Sequence, residues 1–306
     1  MEPAGRVAYP GGVHHVRVDH FSIAVRSIDA ALEFFGRHFP IVMHEPTRDG
    51  YTDDFRWCDF YLGAAKIELI ESSRTGSFVE KFLDRRGEGI HHLSLEVEDL
   101  DALVHDLRRD GLRIVDEHET ERGDRTAFVS PRSAHGMLVQ FWQADAPADP
   151  SPGEAPPLPR LPGVDSRMRF DHLSSAVHDI GAAYGLFARH LPIAQEGVLH
   201  RGYAGDFDLK QFTIGDRGRF RMEFVADASG TSFVRRFLER RGEGFHHVSI
   251  DVDRIDPLLE RMRDLGVRIV DEAEPGGGFK TAFVSPRSAH GVLIQFWQVP
   301  DLEAAW

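Results

Sequence analysis

The sequence predicts an α+β fold in which one domain is built twice in tandem. Segment 85–95 reappears as segment 240–250, and both contain Arg-Arg-Gly-Glu-Gly, one apolar residue and two adjacent histidines. The stretches 85–143 and 240–298 align without a gap, and more than half of their positions hold the same residue. A repeat of this length indicates the duplication of a whole domain and not a short-period solenoid.

Length, charge and cysteine content narrow the class of protein. A chain of 306 residues has room for two domains of ordinary size, each able to bury a core. The net charge of -13 argues against a nucleic-acid or anionic-membrane partner, since both need clustered Lys and Arg. The single cysteine, Cys58, excludes an intramolecular disulfide and favours a reducing compartment. Because no apolar run reaches about 18 residues, we expect a cytoplasmic protein that binds small molecules or other proteins.

The first half of each copy is predicted to contain a strand, a helix and further strands. In the first copy, residues 19–25 alternate between apolar and polar side chains, as a half-buried strand does. Ser27 is predicted to cap an amphipathic helix that ends near Pro40. Residues 55–62 and 65–70 then form two strands joined by a tight turn.

The second half repeats this order. Residues 75–86 form a short helix, and residues 90–97 alternate as the opening strand of a second unit. A helix over 99–110 ends at Gly111. The remaining strands are predicted over 113–115, 126–129 and 137–142. Each copy therefore contains two βαβββ units.

A proline-rich stretch separates the copies. Proline neither donates to a sheet ladder nor continues a helix, so residues 144–166 are predicted to be a linker. The second copy starts at an offset of 152, which grows to 155 through three extra residues in a hairpin at 215–219. The predicted organisation is a tail at 1–16, a first domain at 17–143, the linker, a second domain at 167–298 and a tail at 299–306.

Four polar residues occupy inward-facing strand positions in each copy. The two quartets are His20, Glu68, His92 and Gln140, and His172, Glu223, His247 and Gln295. Such side chains are costly on the concave face of a sheet unless they are paired or bind a metal. Two imidazoles, a carboxylate and an amide oxygen suit Fe(II), Co(II), Mn(II), Ni(II) or Zn(II). The alternative is a set of buried hydrogen-bonding residues without a metal; the recurrence of the whole quartet favours two ions per chain.

Each copy resembles the vicinal oxygen chelate superfamily, which includes glyoxalases, extradiol dioxygenases and bleomycin-resistance proteins. The likeness is greatest to methylmalonyl-CoA epimerases. It rests on segments 19–25, 66–71, 87–92, 114–117, 130–133 and 136–139 and on their second-copy counterparts. The resemblance implies tandem domains in which paired βαβββ modules form an open barrel-like sheet around a divalent metal. It also implies that the eight quartet residues are the metal ligands.

Two departures from the epimerase pattern concern proton transfer. The resemblance implies a Glu at the last ligand position that also serves as an acid or base, but this chain has Gln140 and Gln295 there. An amide cannot accept a proton near neutral pH. The family's other acid/base Glu corresponds to Thr52 and Ala204. We therefore do not expect ordinary methylmalonyl-CoA epimerisation.

Further recurring residues are candidates for catalysis and substrate binding. The candidate acids and bases are the quartet carboxylates Glu68 and Glu223, with His135 and His290 in the turn before the last strand. The candidate substrate contacts are Tyr51, Tyr203, Arg132 and Arg287. The simpler alternatives are turn hydrogen bonding for the histidines, loop packing for the tyrosines and solvation for the arginines. By strand alternation, His91 and His246 are expected to face away from the quartets and to be structural.

The leading interpretation is an enzyme that uses the metal as a Lewis acid on a small anionic carbonyl or carboxylate substrate, in isomerisation, epimerisation or lyase chemistry. One alternative is a non-haem Fe(II) dioxygenase resembling the 4-hydroxyphenylpyruvate or extradiol enzymes, since two His and one carboxylate are also their ligand set. A second alternative is a ligand-sequestering resistance protein. The fused copies imply a pseudo-dimer within one chain, which is either monomeric or dimerises again.

Overall fold

The chain folds into two eight-stranded sheets with the same strand order, each accompanied by three helices, within the residues that the structure describes. The structure is a computed structural model that describes residues 14, 16–121, 123–145, 160–161, 163–215, 220–299 and 302. The predicted α+β class and the tandem duplication are confirmed.

The secondary structure of the two copies corresponds element by element. The first copy consists of β1 (Val16–Ala24), α1 (Ile28–His38), β2 (Val42–Asp49), β3 (Phe55–Leu62), β4 (Ala65–Ser72), α2 (Phe78–Arg86), β5 (Gly89–Val97), α3 (Leu100–Arg109), β6 (Ile114–Glu119), β7 (Arg125–Val129) and β8 (Val139–Gln143). The second consists of β9 (Met168–Ala176), α4 (Ile180–His190), β10 (Ile193–Arg201), β11 (Phe207–Ile214), β12 (Phe220–Asp227), α5 (Phe233–Arg241), β13 (Gly244–Val252), α6 (Ile255–Asp264), β14 (Ile269–Gly276), β15 (Phe279–Val284) and β16 (Ile294–Gln298).

The two βαβββ units of each copy meet at their opening strands. The first sheet has the order β2-β3-β4-β1-β5-β8-β7-β6, and the second has the order β10-β11-β12-β9-β13-β16-β15-β14. β1 and β5 pair antiparallel, and each also pairs in parallel with the last strand of its own unit, β4 or β8. The four central strands, β4, β1, β5 and β8, are therefore the ones that carry the quartet.

Five of the six helices in the described part of the chain begin at a Ser or Asp whose side chain caps the helix, and α6 is the exception. The Ser27 hydroxyl accepts a hydrogen bond from the backbone N–H of Ala30 at 3.2 Å, which confirms the predicted cap of α1. Ser77 and Ser232 cap α2 and α5 in the same way, and both serines are buried. Because one face of each helix is apolar, the helices pack against the sheets and leave the opposite sheet face free for a site.

One strand of the first copy was not predicted as a strand. β2, at residues 42–49, lies at the edge of its sheet, and seven of its eight residues are exposed. With no buried face, its sequence shows no apolar alternation, and Pro46 lowers its strand propensity further.

The two copies share one hydrophobic core. A single cluster of buried side chains includes residues of both sheets. The Phe21 ring of β1 and the Phe170 ring of β9 stack across the boundary with centroids 5.9 Å apart, and Phe39 stacks on Phe296 at 6.1 Å. The copies are therefore packed as a pseudo-dimer within one chain.

The described strands run from Val16 to Gln143 and from Met168 to Gln298. Most of the two predicted tails and most of the predicted linker lie outside the described residues, as do residues 216–219 of the hairpin insertion. The domain boundaries therefore stay a prediction. Of the helices in the described part of the chain, none combines the length and the apolar character that crossing a membrane requires.

Candidate metal centre

The register of the four central strands places the quartet side chains on one face of the sheet. Ser22 of β1 is paired with Glu68 of β4 on one side and with His92 of β5 on the other. Ser94 of β5 is likewise paired with His20 and with Gln140. Because residues two apart in a strand share a face, the four side chains surround the pair of small serines. The second sheet repeats this arrangement around Ser174 and Ser249.

The first triad brings two imidazoles to one carboxylate. The Nε2 atoms of His20 and His92 lie 3.5 Å and 3.7 Å from Oε2 of Glu68. The two rings stand edge to face with centroids 5.4 Å apart. The candidate ligand atoms of the three side chains lie within 4.8 Å of one another, close enough for a single cation to contact all three.

The second triad has the same geometry in a more buried setting. His172 and His247 place Nε2 at 3.4 Å and 3.7 Å from Oε1 of Glu223, and their rings are also 5.4 Å apart. The two Nε2 atoms face each other at 3.4 Å. All three side chains are at most 7% exposed, whereas the Glu68 side chain is 14% exposed. Each triad thus presents two nitrogens and one oxygen toward a common point.

Two imidazole nitrogens of the first triad are positioned to bind a metal. Nε2 of His20 and Nε2 of His92 are buried, and neither meets a hydrogen-bond partner among the described residues. Nδ1 of His20, by contrast, is held by the Asp19 carboxylate at 2.7 Å. Nδ1 of His172 is held by Asp171 at 2.6 Å. A carboxylate on Nδ1 fixes the tautomer that leaves Nε2 free to bind a cation.

The two glutamines of the quartets, Gln140 and Gln295, lie next to the triads. The amide nitrogen of Gln140 donates to the Thr126 hydroxyl at 3.0 Å, and Gln295 donates to Thr281 at 3.2 Å. The Gln140 side chain also lies beside His92. Because the amide nitrogen is bound to threonine, the amide oxygen is the atom that remains available to a cation.

The protonation of each triad follows from burial and from the neighbouring charges. Burial lowers the pKa of His20, but Glu68 and Asp19 outweigh it and raise that pKa to about 9; His172 is raised to about 10 in the same way. Burial raises the pKa of Glu68, but His20 outweighs it and lowers that pKa to about 2. Burial holds the pKa of His92 well below its usual value. In the metal-free protein, each triad therefore contains one cationic His, one neutral His and one carboxylate.

A cavity of about 370 Å³ opens beside the second triad. His172, Glu223, His247 and Gln295 all line it. Its walls are largely aromatic and include Tyr203, Phe207, Phe233, Phe283 and Trp297. Two cations, Arg201 and Arg221, also line the cavity, as does the carboxylate of Asp251. This combination suits a flat or branched apolar group that carries an anionic end.

The other predicted site residues occupy different surroundings. Tyr203 lines the cavity, and Tyr51 is close enough to Glu68 for that charge to help burial raise the pKa of the Tyr51 hydroxyl. Arg132 and Arg287 are exposed, and Arg287 is not among the residues that line the cavity. The structure therefore brings the tyrosines, and not the arginines, to the neighbourhood of the triads.

The candidate acids or bases His135 and His290 lie in contacts between the copies. Nδ1 of His135 is 3.2 Å from the carboxylate of Glu243, and Nδ1 of His290 is 3.3 Å from that of Glu88. His290 also packs against Phe34 of α1, and it does not line the cavity beside the second triad. The sequence places these histidines next to a ligand strand, but it cannot show that the other copy covers them.

Several residues of the site were not singled out from the sequence. They are Asp19, Asp171, Gln211, Arg201, Arg221 and Asp251. The recurring Asp-His dipeptide at 19–20 and 171–172 was an available signal for the two aspartates. The side chain of Gln211 donates a hydrogen bond to Glu223 at 3.1 Å. The repeat gives no signal for Gln211, because the residue at the corresponding strand position of the first copy is Asp59. Asp59 instead accepts from His44 and from the backbone of Glu45.

A family model for the Glyoxalase/Bleomycin resistance protein/Dioxygenase superfamily matches residues 19–128 and 171–283. The chain belongs to this superfamily. Each matched stretch contains the His, Glu and His of one triad, whereas Gln140 and Gln295 lie beyond the matched residues. The resemblance predicted from the sequence is confirmed.

Individual relatives match one copy at a time. An ethylmalonyl-CoA/methylmalonyl-CoA epimerase of Cereibacter sphaeroides is 31% identical over 135 residues, which are 42% of this chain and 97% of the relative. A mitochondrial methylmalonyl-CoA epimerase of Dictyostelium discoideum is 29% identical over 131 residues, which are 41% of this chain and 76% of the relative. Such relatives are about the size of half of this chain.

One solved structure matches both copies together. A mutant of 4-hydroxymandelate synthase from Streptomyces coelicolor covers 94% of this chain and 93% of its own, with a TM-score of 0.60 and 14% sequence identity. At this identity the match concerns the fold alone. The fold of this chain, with both copies included, is therefore also found in another solved structure.

The Asp–His pairs allow a prediction about metal affinity. Asp171→Asn keeps the size of the side chain and removes the negative charge that contacts Nδ1 of His172. We therefore expect the second centre to bind metal about 10–100-fold more weakly. Asp19→Asn should weaken the first centre alone. The two dissociation constants can be measured by chelator competition on the full chain. If either variant weakened metal binding equally at both centres, the idea that each aspartate supports only its own centre would be contradicted.

Proposed function

We propose that the protein is a divalent-metal-dependent enzyme with two centres per chain, held by His20, Glu68, His92 and Gln140 and by their four second-copy counterparts. The observation that carries this proposal is the pair of buried Nε2 atoms on His20 and His92, which face Glu68 without a hydrogen-bond partner in the described part of the chain. Leaving buried imidazole nitrogens unpaired is costly unless a cation takes their lone pairs.

The ligand set indicates the type of metal. Imidazole and carboxylate donors suit Fe(II), Co(II), Mn(II), Ni(II) or Zn(II). With one anionic ligand, the centre keeps a formal charge of +1, so a bound metal would act as a Lewis acid that attracts an anionic oxygen. The proposed reaction class is isomerisation, epimerisation or lyase chemistry on a small carbonyl or carboxylate compound.

The cavity of the second copy supports an anionic substrate with an apolar body. Arg221 lines the cavity and also donates to Asp171 at 2.6 Å, so it is held in place next to the triad. Arg201 stands nearer the solvent, where its side chain is 54% exposed and can meet an incoming anion. Burial raises the pKa of the Tyr203 hydroxyl, which therefore stays protonated and can donate to a substrate oxygen. The aromatic walls exclude water around the apolar part.

The metal ligand Glu223 is one candidate proton acceptor, and a carboxylate or imidazole outside the ligand set is a second possibility. His290 is paired with Glu88 and does not line this cavity. Asp251 does line it, is buried, and is held by Arg169 at 2.6 Å. Burial and the neighbouring Asp171 raise the pKa of Asp251 to about 6. We therefore add Asp251 to Glu223 as a candidate proton acceptor of the second centre.

The relatives named as methylmalonyl-CoA epimerases suggest a thioester substrate, but Gln140 and Gln295 stand where the resemblance implies an acid/base Glu. An amide leaves that position without a proton acceptor. We therefore propose a related Lewis-acid reaction on a different substrate. A dioxygenase is the second candidate, and the observation in its favour is the triad of two His and one carboxylate.

One experiment separates the two candidates. The metal-loaded chain is incubated with phenylpyruvate in D2O, first without oxygen and then in air. A parallel incubation contains methylmalonyl-CoA in place of phenylpyruvate. We expect metal-dependent deuterium uptake at C3 of phenylpyruvate, no oxygen consumption and no exchange in methylmalonyl-CoA. Glu68→Gln together with Glu223→Gln should abolish the exchange, because each centre loses its carboxylate. Oxygen uptake in proportion to phenylpyruvate would instead identify a dioxygenase, and a lack of both would contradict the proposed chemistry.

A further inference from the structure

A second cavity lies between the two copies. It has a volume of about 240 Å³, and eight residues of the first copy that line it each have a counterpart 155 positions later that also lines it. His91 and His246, Arg86 and Arg241, and Leu138 and Leu293 are three of these pairs. The cavity therefore lies on the approximate two-fold axis that relates the copies, and we call it the axial cavity. None of the eight quartet residues lines it.

A β-bulge orients the two histidines of the axial cavity. In the pairing of β1 with β5, Ser22 lies opposite His92 and Ile23 lies opposite Ile90, so His91 is an extra residue without a partner in β1. Bulges re-aim side chains. The result is that Nδ1 of His91 lies 2.9 Å from Nδ1 of His92. His246 is the corresponding bulge residue and has the same contact with His247 at 2.9 Å.

The contacts His91–His92 and His246–His247 link the axial cavity to the two triads. The next step rests on the proposed function, because it requires that the triads bind metal. If Nε2 of His92 binds a metal, the ring must carry its hydrogen on Nδ1 and donate it to Nδ1 of His91. His91 then carries its own hydrogen on Nε2. His91 and His246 are each 8% exposed and line the axial cavity, so each brings one N–H donor to it.

The remaining lining residues define what such donors would bind. Arg86 and Arg241 end helices α2 and α5, and each guanidinium donates to the last carbonyl of the other helix, at 3.3 Å and 3.2 Å. These cations lie at the solvent side of the axial cavity. Leu138 and Leu293, with Phe82 and Phe237, supply apolar walls. Glu88 also lines the cavity, but its carboxylate is already paired with His290 and with the backbone N–H of Arg26. The two cations, the N–H donors and the apolar walls therefore suit one small anion with a compact apolar body.

We propose that the axial cavity binds one small monocarboxylate, such as an aromatic or short-chain acid, and that its binding strengthens metal binding at both centres. A carboxylate that accepts a hydrogen bond from Nε2 of His91 makes Nδ1 of that ring a better acceptor. The hydrogen bond from His92 to His91 then becomes stronger, and His92 becomes a better metal ligand. The same argument applies to His246 and His247. One ligand on the axis thus acts on two centres.

The test measures benzoate binding to the full chain by calorimetry, with and without metal. We expect one benzoate per chain in both states, bound about fivefold or more tightly when metal is present, because coupling between sites is reciprocal. The double variant Arg86→Gln with Arg241→Gln should bind benzoate at least tenfold more weakly. The matched control is Arg85→Gln with Arg240→Gln, which changes exposed neighbours that do not line the cavity and should leave binding within twofold.

Stoichiometry separates this proposal from binding at the metal centres. Two benzoates per chain, seen only in the presence of metal, would mean that benzoate binds the triads and would overturn the proposal. No binding to the metal-free chain would overturn it as well. Leu138→Trp is a second variant that fills the cavity without removing charge, and it should abolish benzoate binding while circular dichroism verifies the fold. If the protein proves to bind no metal, one benzoate per chain is still expected.

Discussion

Replacing Glu68 and Glu223 together by glutamine is expected to remove both metal ions from the protein. Each substitution keeps the shape of the side chain but removes the only negative charge among the proposed ligands of its centre. We expect at least ~100-fold weaker metal binding at each centre, more than the loss of a supporting residue causes. Glu223→Gln alone should reduce the metal content from two ions per chain to one, as measured by elemental analysis after gel filtration.

The control for this result uses two other glutamates. Glu33 and Glu239 are exposed and form helical ion pairs with Arg37 and Arg235. Their double change to glutamine removes the same two charges and should leave the metal content unchanged, since exposed pairs of this type contribute little. If the variants at Glu68 and Glu223 retained both ions, the triads would not be the metal centres.

The second large effect concerns the contact between the copies. Gly291 has a φ of 77°, and a Cβ atom there would lie 1.7 Å from the carbonyl oxygen of Glu88 in the other copy. Gly291→Ala therefore adds a backbone clash to the cost of the left-handed conformation. We expect the free energy of unfolding to fall by at least ~3 kcal/mol in urea titrations. The turn carries His290, so its contact with Glu88 should be lost too.

Gly87 provides the matched control. Its φ is 75°, almost the same as that of Gly291, but a Cβ atom added at Gly87 would meet nothing within 4 Å. Gly87→Ala therefore measures the cost of the conformation alone, about 1–2 kcal/mol. Equal losses for the two variants would show that the copies can separate at Gly291 without cost, which contradicts the close contact.

Much of the fold and the triads could be predicted from the sequence because both depend on local patterns. Period-two alternation places His20 and His92 on the inner face of their strands. The same pattern recurs around His172 and His247 in the second copy. Each N-cap serine is also a local signal. The edge strand at residues 42–49 was missed because an exposed strand needs no apolar alternation.

The rest of the site depends on contacts that lie far apart in the sequence. The sequence places His135 and His290 next to a ligand strand, but only the structure shows that each contacts a glutamate of the other copy. The contact between His91 and His92 results from a bulge, and simple alternation predicts instead that the two side chains point apart. The pairing of Arg221 with Asp171 likewise depends on the register between two strands.

The most direct test of the proposed centres is the metal content of the protein after purification without a chelator. Elemental analysis on the full chain should find two equivalents of Fe, Co, Mn, Ni or Zn per chain, and treatment with a chelator should remove them. A chain that holds no such metal, and takes up none when these ions are added back at neutral pH, would contradict the assignment of both triads.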